Sequence, residues 1–213
     1  MMITALLKRD VLLLMRQRAE LLQIWAMPAL YACLAGFLDA ARSVPAALLL
    51  VILMLWPIYM LVNRAWADDA RSGFLDQAVV GGVPLSLVAG VRILVLAECA
   101  LLPAALVTMA VMMVANAAAF SWHDALAILL ASYTLAALVS VVAALTVSLR
   151  VAGGVALLLL FPLLLPTLIL LTVALTEPTA AVAALYLLAA LAVVAIPLGA
   201  IATATGLRHH VCQ

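Results

Sequence analysis

The residues that could do chemistry are few, because this chain of 213 residues carries only ten basic and nine acidic side chains. Their densest grouping is "RAWADDARSGFLDQAVVGGVPLS", Arg64 to Ser86, where Arg64, Asp68, Asp69, Arg71 and Asp76 interrupt long apolar runs. These groups complete no catalytic pattern. There is no GxxxxGK[ST], and the single lysine, Lys8, is not in a glycine loop, so the chain cannot cradle and hydrolyse a nucleotide by itself. HExxH and GxSxG are also missing. His123 stands between Trp122 and Asp124, and His209 and His210 are adjacent near the C-terminus. A neutral imidazole at any of these could ligate a metal or haem iron, but a His beside Trp is also a usual membrane-interface residue. Cys33, Cys99 and Cys212 are far apart and odd in number, which gives neither a disulfide framework nor a zinc site. The pairs Gly81–Gly82 and Gly153–Gly154 are too short a signal for phosphate binding. The chain is expected to be non-catalytic, with no metal and no cofactor bound directly.

The elements that hold these residues must live in lipid. With 70% hydrophobic and 9% charged residues, the chain cannot cover a water-facing surface. A net charge of +1 with scattered basic residues gives no grip on a nucleic-acid backbone. Charge-free runs at Leu21–Leu38, Ser43–Asn63, Cys99–His123, Ala125–Leu149, Val151–Thr176 and Pro178–Leu207 are each long enough to cross the roughly 30 Å of hydrocarbon. The expectation is an all-α membrane protein with six transmembrane helices in a single domain, residues 1–213. The first run is short and holds Pro28, which keeps a five-span reading open. With the N-terminus inside, Lys8, Arg9, Arg16, Arg18, Arg64, Arg71, Arg92, Arg150 and Arg208 are all cytoplasmic, against Arg42 alone outside. Both termini are then cytoplasmic, and short outer loops fall at Asp39–Val44, Ser121–Asp124 and Thr176–Thr179.

Residues 1–20 read as an amphipathic elbow on the membrane surface, with Ile3, Leu7, Val11 and Leu14 on one stripe; positive anchoring of the first span would give the same pattern. The polar island, residues 64–80, reads as a second amphipathic helix, with Trp66, Ala70 and Phe74 on one stripe and Asp69, Gly73 and Asp76 on another. Such a helix suits a groove on a partner protein, so its carboxylates are expected on a water-exposed docking face. Glu98 is the charged residue deepest in a span, with Arg92 nearer the inner surface. It is either a Glu reaching back toward Arg92 or Arg150, or an intramembrane polar contact that rearranges in a working cycle. Pro162 and Pro166 should kink or break the fifth span near Leu158–Leu163, on a side facing other helices, whether of this chain or of a second copy, rather than acyl chains.

The segment D-D-x-x-x-G-x-L-D-Q, present as Asp68, Asp69, Gly73, Leu75, Asp76 and Gln77 and followed by Pro84, resembles the cytoplasmic segment of the CcmB family, the permease subunits of the cytochrome c maturation ABC system. A second block, "RVAGGVALLLLFPLLLPTLIL", is similar to that family's fifth span, with Gly153 and Gly154 at its start and Pro162 and Pro166 within it. The resemblance covers essentially the whole chain. It implies an ABC-2-type permease in the bacterial inner membrane, forming a homodimer over a separate CcmA-like ATPase that binds the ATP. It also implies work with CcmC-like and CcmD-like membrane subunits and with the haem chaperone CcmE. Haem is then a candidate cargo, with release of haem-loaded CcmE as the other outcome of the cycle. In this reading the island is the coupling helix on the ATPase. Two rivals remain at this stage: an ABC-2-type permease for a lipid or other small hydrophobic molecule, and a non-transport membrane scaffold.

Overall fold

The computed structural model describes residues 2–37, 46–116, 121–149, 153–177 and 179–211, and among these the only regular secondary structure is helix. In chain order the helices are α1 (Met2–Arg16), α2 (Arg18–Phe37), α3 (Ala46–Arg64), α4 (Ala67–Arg71), α5 (Phe74–Val80), α6 (Leu85–Leu96), α7 (Leu102–Asn116), α8 (Trp122–Leu149), α9 (Gly153–Thr176) and α10 (Ala181–Val211). A single π turn, Ala97–Leu101, joins α6 to α7. The loop expected at 39–44, together with Arg42, Arg150 and Cys212, lies outside the described residues, as do the side chains of His209 and His210.

Among the described residues four stretches are long and apolar enough to cross a bilayer: Leu48–Arg71, Leu85–Val114, Trp122–Leu149 and Ala181–Arg208. Two further helices, α2 and α9, coincide with the first and fifth expected runs, but α2 begins with Arg18 and Glu20, and the fully described apolar part of α9, Leu160–Thr176, is shorter. The third span departs most from expectation. It starts at Leu85 rather than Cys99, which places both Arg92 and Glu98 inside it. A reading based on charge-free runs must start a span after its last charge, whereas Arg92 is neutralised by partners from other helices and the chain enters the bundle earlier.

Small residues set the closest packing. A Cβ built on Gly199 of α10 would meet the Ala137 Cβ of α8 at 3.0 Å, and one on Gly206 would meet the Ala144 Cβ at 3.6 Å. The two contacts are one heptad apart on both helices, and between them the Thr203 hydroxyl bonds the Ser140 hydroxyl at 3.3 Å. Tight apposition of this kind is how helices associate in lipid, where no hydrophobic drive exists between apolar surfaces. Thr108, Ser132 and Thr134 instead return their hydroxyls to carbonyls one turn earlier in their own helices.

Two local expectations are corrected. Ser121 is the N-cap of α8 and not a loop residue. Its amide donates to Asp124 Oδ2 at 2.8 Å and its hydroxyl accepts the Asp124 amide at 3.3 Å, a reciprocal capping box. In α9 the helix runs unbroken through Pro162 and Pro166, so the break expected there is absent; both prolines are exposed on the single chain, a side that a second copy could cover.

Candidate partner-docking segment and its buried anchor

The island between α3 and α6 folds as two short helices rather than the single helix expected over 64–80. Ser72 donates its amide to the Asp68 carbonyl at 2.9 Å and closes α4; Gly73, at φ 69°, then turns the chain into α5. An L side chain at that φ would be strained, which gives this glycine its reason. After α5, Val83 donates to the Ala78 carbonyl at 2.9 Å with Gly82 at φ 71°, a Schellman cap that releases the chain into Pro84 and α6. The Gly81–Gly82 pair is therefore a helix stop.

The island's apolar stripe faces the bundle. Trp66 is 0% exposed and Leu75 1%, Ala78 is buried, and Ala70 and Phe74 pack against the same core. The Trp66 indole donates to both the carbonyl and the hydroxyl of Ser140 at 3.2 Å, which seats the island on the α8–α10 seam. What remains outside is Asp68, Arg71, Ser72, Asp76, Gln77, Val79 and Val80.

Asp69 does not belong to that outer face. It is 3% exposed, which corrects the expectation of a water-exposed carboxylate, and the reason is a pair of guanidinium groups. Arg92 Nη2 donates to Asp69 Oδ2 at 2.5 Å, while Arg92 Nε and Nη2 donate to the two oxygens of Asp10 at 2.8 and 3.1 Å. Arg92 Nη1 donates to the Ala65 carbonyl, at the end of α3. Arg9 bridges the same carboxylates, bonding Asp10 at 2.9 Å and also Asp69. The aromatic rings close the knot, with the Arg9 guanidinium 3.3 Å from the Phe74 ring centre and that of Arg92 4.9 Å from the Trp66 ring. Two positive and two negative charges cancel, so the group can be withdrawn from water as a neutral unit when none could be alone. Its links run from α1 through α4 to α6.

Around this knot the surface contacts are weaker. Gln17, in the turn between α1 and α2, donates to Asp68 at 2.6 Å, Arg71 lies 3.8 Å from Asp68, and Arg64 pairs with Glu20. A cavity of about 60 Å³ lies between them, lined by Asp10, Gln17, Arg64, Asp68, Asp69 and Arg92 among others.

The structure brings two expected site residues together, Asp69 and Arg92, and separates two others. Glu98 has no contact with Arg92; it sits in the π turn and accepts a hydrogen bond from the Tyr133 hydroxyl of α8. Gly153, Gly154, Pro162 and Pro166 lie along α9, remote in sequence from the island and not among the residues bonded to it. Sequence reasoning missed Arg9 and Asp10. Its apolar stripe on α1 leaves out Asp10, yet Asp10 is the one buried residue of α1, on a side shared with the partly buried Leu6, Leu14 and Gln17, while Ile3 is 52% exposed. The available signal was a lone acid among basic and apolar residues at a position where no solvated role required it. Among the described residues no group of His, Cys, Asp and Glu is arranged to hold a metal. His123 packs its ring against Trp122, with centroids 3.7 Å apart.

No curated protein matches the chain. The family model described as CcmB protein matches residues 1–210, almost its full length, and covers both the island and the proline-containing helix. The chain thus belongs to the CcmB family, ABC-transporter permease subunits of cytochrome c biogenesis in the inner membrane.

Proposed function

We propose that this chain is the permease that converts nucleotide turnover in a separate CcmA-like ATPase into movement of membrane helices, and that the α4–α5 island is the surface on which that ATPase acts. The observation that carries the reading is the anchor beneath the island. A lever transmits force only if its inner side is fixed, and here Trp66, Asp69 and Leu75 fix it to α1, α6 and α8 through buried bonds and packing. The outer side supplies the docking groups: Asp68, Asp76 and Gln77 on a face with Val79 and Val80. Asp69 and Leu75 act from within as positioning residues, and Gly73 sets the angle between the two short helices.

In this reading the island, α1 and the C-terminal ends of α8 and α10 share the cytoplasmic end. The chain of contacts from Trp66 to Ser140 to Thr203 supports that grouping. Six spans, α2, α3, α6–α7, α8, α9 and α10, then return both termini to the cytoplasm, and α1 is the elbow before the first span. The permease works as a homodimer beside CcmC-like and CcmD-like subunits. Its output is release of haem-loaded CcmE, or haem export, with haem as substrate and not as a resident group. The test is Asp68→Lys with Asp76→Lys. Both side chains are exposed, so the protein should insert at normal levels, while co-purification of the ATPase and formation of c-type cytochromes fall together. Retention of both at wild-type levels would remove the island from the coupling path.

A further inference from the structure

We propose that Glu98 and Tyr133 form the polar centre of an intramembrane contact surface that takes a transmembrane helix of a different polypeptide, one presenting a basic side chain at mid-membrane depth. Glu98 is about 20 Å along α6 and its π turn from Leu85, and Tyr133 is about 16 Å along α8 from Trp122, so the pair sits near the middle of the hydrocarbon from either end. Glu98 is exposed on the outside of the bundle. Among the described residues its one hydrogen-bond partner is the Tyr133 hydroxyl, which bonds Oε1. An intramembrane carboxylate ordinarily faces the bundle interior or a water-filled cavity, or pairs with a charged group; this one is exposed and meets a single neutral hydroxyl.

The local backbone supports a built surface. A π turn inside an α-helix is frequent at functional sites, and this one, Ala97–Leu101, contains Glu98. Above and below the carboxylate the same side of the helix carries apolar side chains, Leu94 at 39% exposure and Leu106 at 39%. The surface is thus a lipid-compatible ridge with one acidic group at its centre, and charge complementarity selects its occupant. The described residues of a second copy do not supply that charge. Among the described residues Lys8, Arg9, Arg16, Arg18, Arg64, Arg71 and Arg208 lie in α1, at helix ends or in the island, and Arg92 is already held by Asp10 and Asp69. The occupant is therefore a helix from another chain.

The test uses the complete complex in native membranes, with a benzophenone-bearing phenylalanine placed at Leu94 or at Leu106. Irradiation is expected to attach the probe to a separate polypeptide at a segment with Lys or Arg within one helical turn. Glu98→Lys should lower that yield by about tenfold through like-charge repulsion, and changing the identified basic residue to Glu in the same cells should restore it. ATPase co-purification should stay unchanged throughout, which separates this contact from the island. Attachment to lipid alone or to a second copy overturns the proposal, as does a yield indifferent to Glu98→Lys or a swap that fails to rescue. If Glu98→Lys does not accumulate, Glu98→Gln carries the test: a lowered yield at normal protein level supports the contact, and an unchanged yield overturns it.

Discussion

Arg92 and Glu98 stand in one continuous helical stretch, less than two turns apart, and the protein treats them in opposite ways. Arg92 is buried, and its guanidinium meets two carboxylates, a backbone carbonyl and an aromatic face. Glu98 is exposed, with one hydroxyl as partner. Both are charged side chains inside the same candidate span. The first is finished within the chain, which makes it part of the fold. The second is half-finished, which makes it a surface awaiting something. Composition and depth alone would have grouped them.

The largest expected effect comes from opening the finished site. Arg92→Ala leaves Asp10 and Asp69 buried beside Arg9 alone, and breaking a buried ion network in this way typically costs about 3–5 kcal/mol. Thermal unfolding of the purified subunit should show a large loss or, in cells, failure to accumulate. Arg92→Lys keeps the charge but loses the fork that reaches both carboxylates and Ala65 together, so it should be intermediate. Asp69→Lys should resemble Arg92→Ala, and not the surface pair Asp68→Lys with Asp76→Lys, because it is on the inner side of the island. A stable, fully assembled Asp69→Lys protein would break the comparison by showing that the knot is not structural.

A purely steric defect gives the scale against which that loss is judged. Gly199→Leu forces a side chain where even a Cβ stands 3.0 Å from Ala137, and overpacking of this kind costs about 1–3 kcal/mol. Separation of α8 from α10 would also disturb Ser140 and so the floor under Trp66. Gly206→Ala, with 3.6 Å of clearance, should be tolerated. Equal losses for the two glycines, measured by unfolding in detergent, would show that the seam is looser than its geometry implies.

What could be read from residues alone follows the same division. Apolar runs place α3, α8 and α10 to within a few residues, because lipid imposes one rule on every residue of such a run. That rule fails where charges neutralise one another across helices: nothing in the local sequence around Arg92 reports that Asp10 lies opposite it, so the third span seems to begin at Cys99 and in fact begins at Leu85. The island is legible as a helical element with an exposed polar face from its polar density. Its break at Gly73 and the inward turn of Trp66 and Asp69 are tertiary outcomes, since an amphipathic stripe on a short helix fits a groove in its own protein as well as one in a partner. Pro162 and Pro166 mislead as to a break, because each proline removes one backbone donor and crowds one carbonyl, a local defect that a long helix accommodates without ending.

The smallest expected effect sharpens the comparison most. Tyr133→Phe removes the single hydroxyl that Glu98 has and keeps the ring that packs beside it. Hydrogen bonds between membrane helices average about 0.6 kcal/mol and reach about 1.7 kcal/mol. If the pair is half of a larger contact, the isolated subunit should lose an amount in that range, because α6 and α8 are also joined by packing. Within the assembled complex the loss should be smaller, since a basic group from the partner helix would still satisfy the carboxylate. The measurement is the unfolding temperature of wild type and Tyr133→Phe, each alone and in complex. A loss approaching that of Arg92→Ala, or one equal in both settings, would place Glu98 and Tyr133 in the same class as the buried knot: a closed pair belonging to the fold, with nothing further to bind.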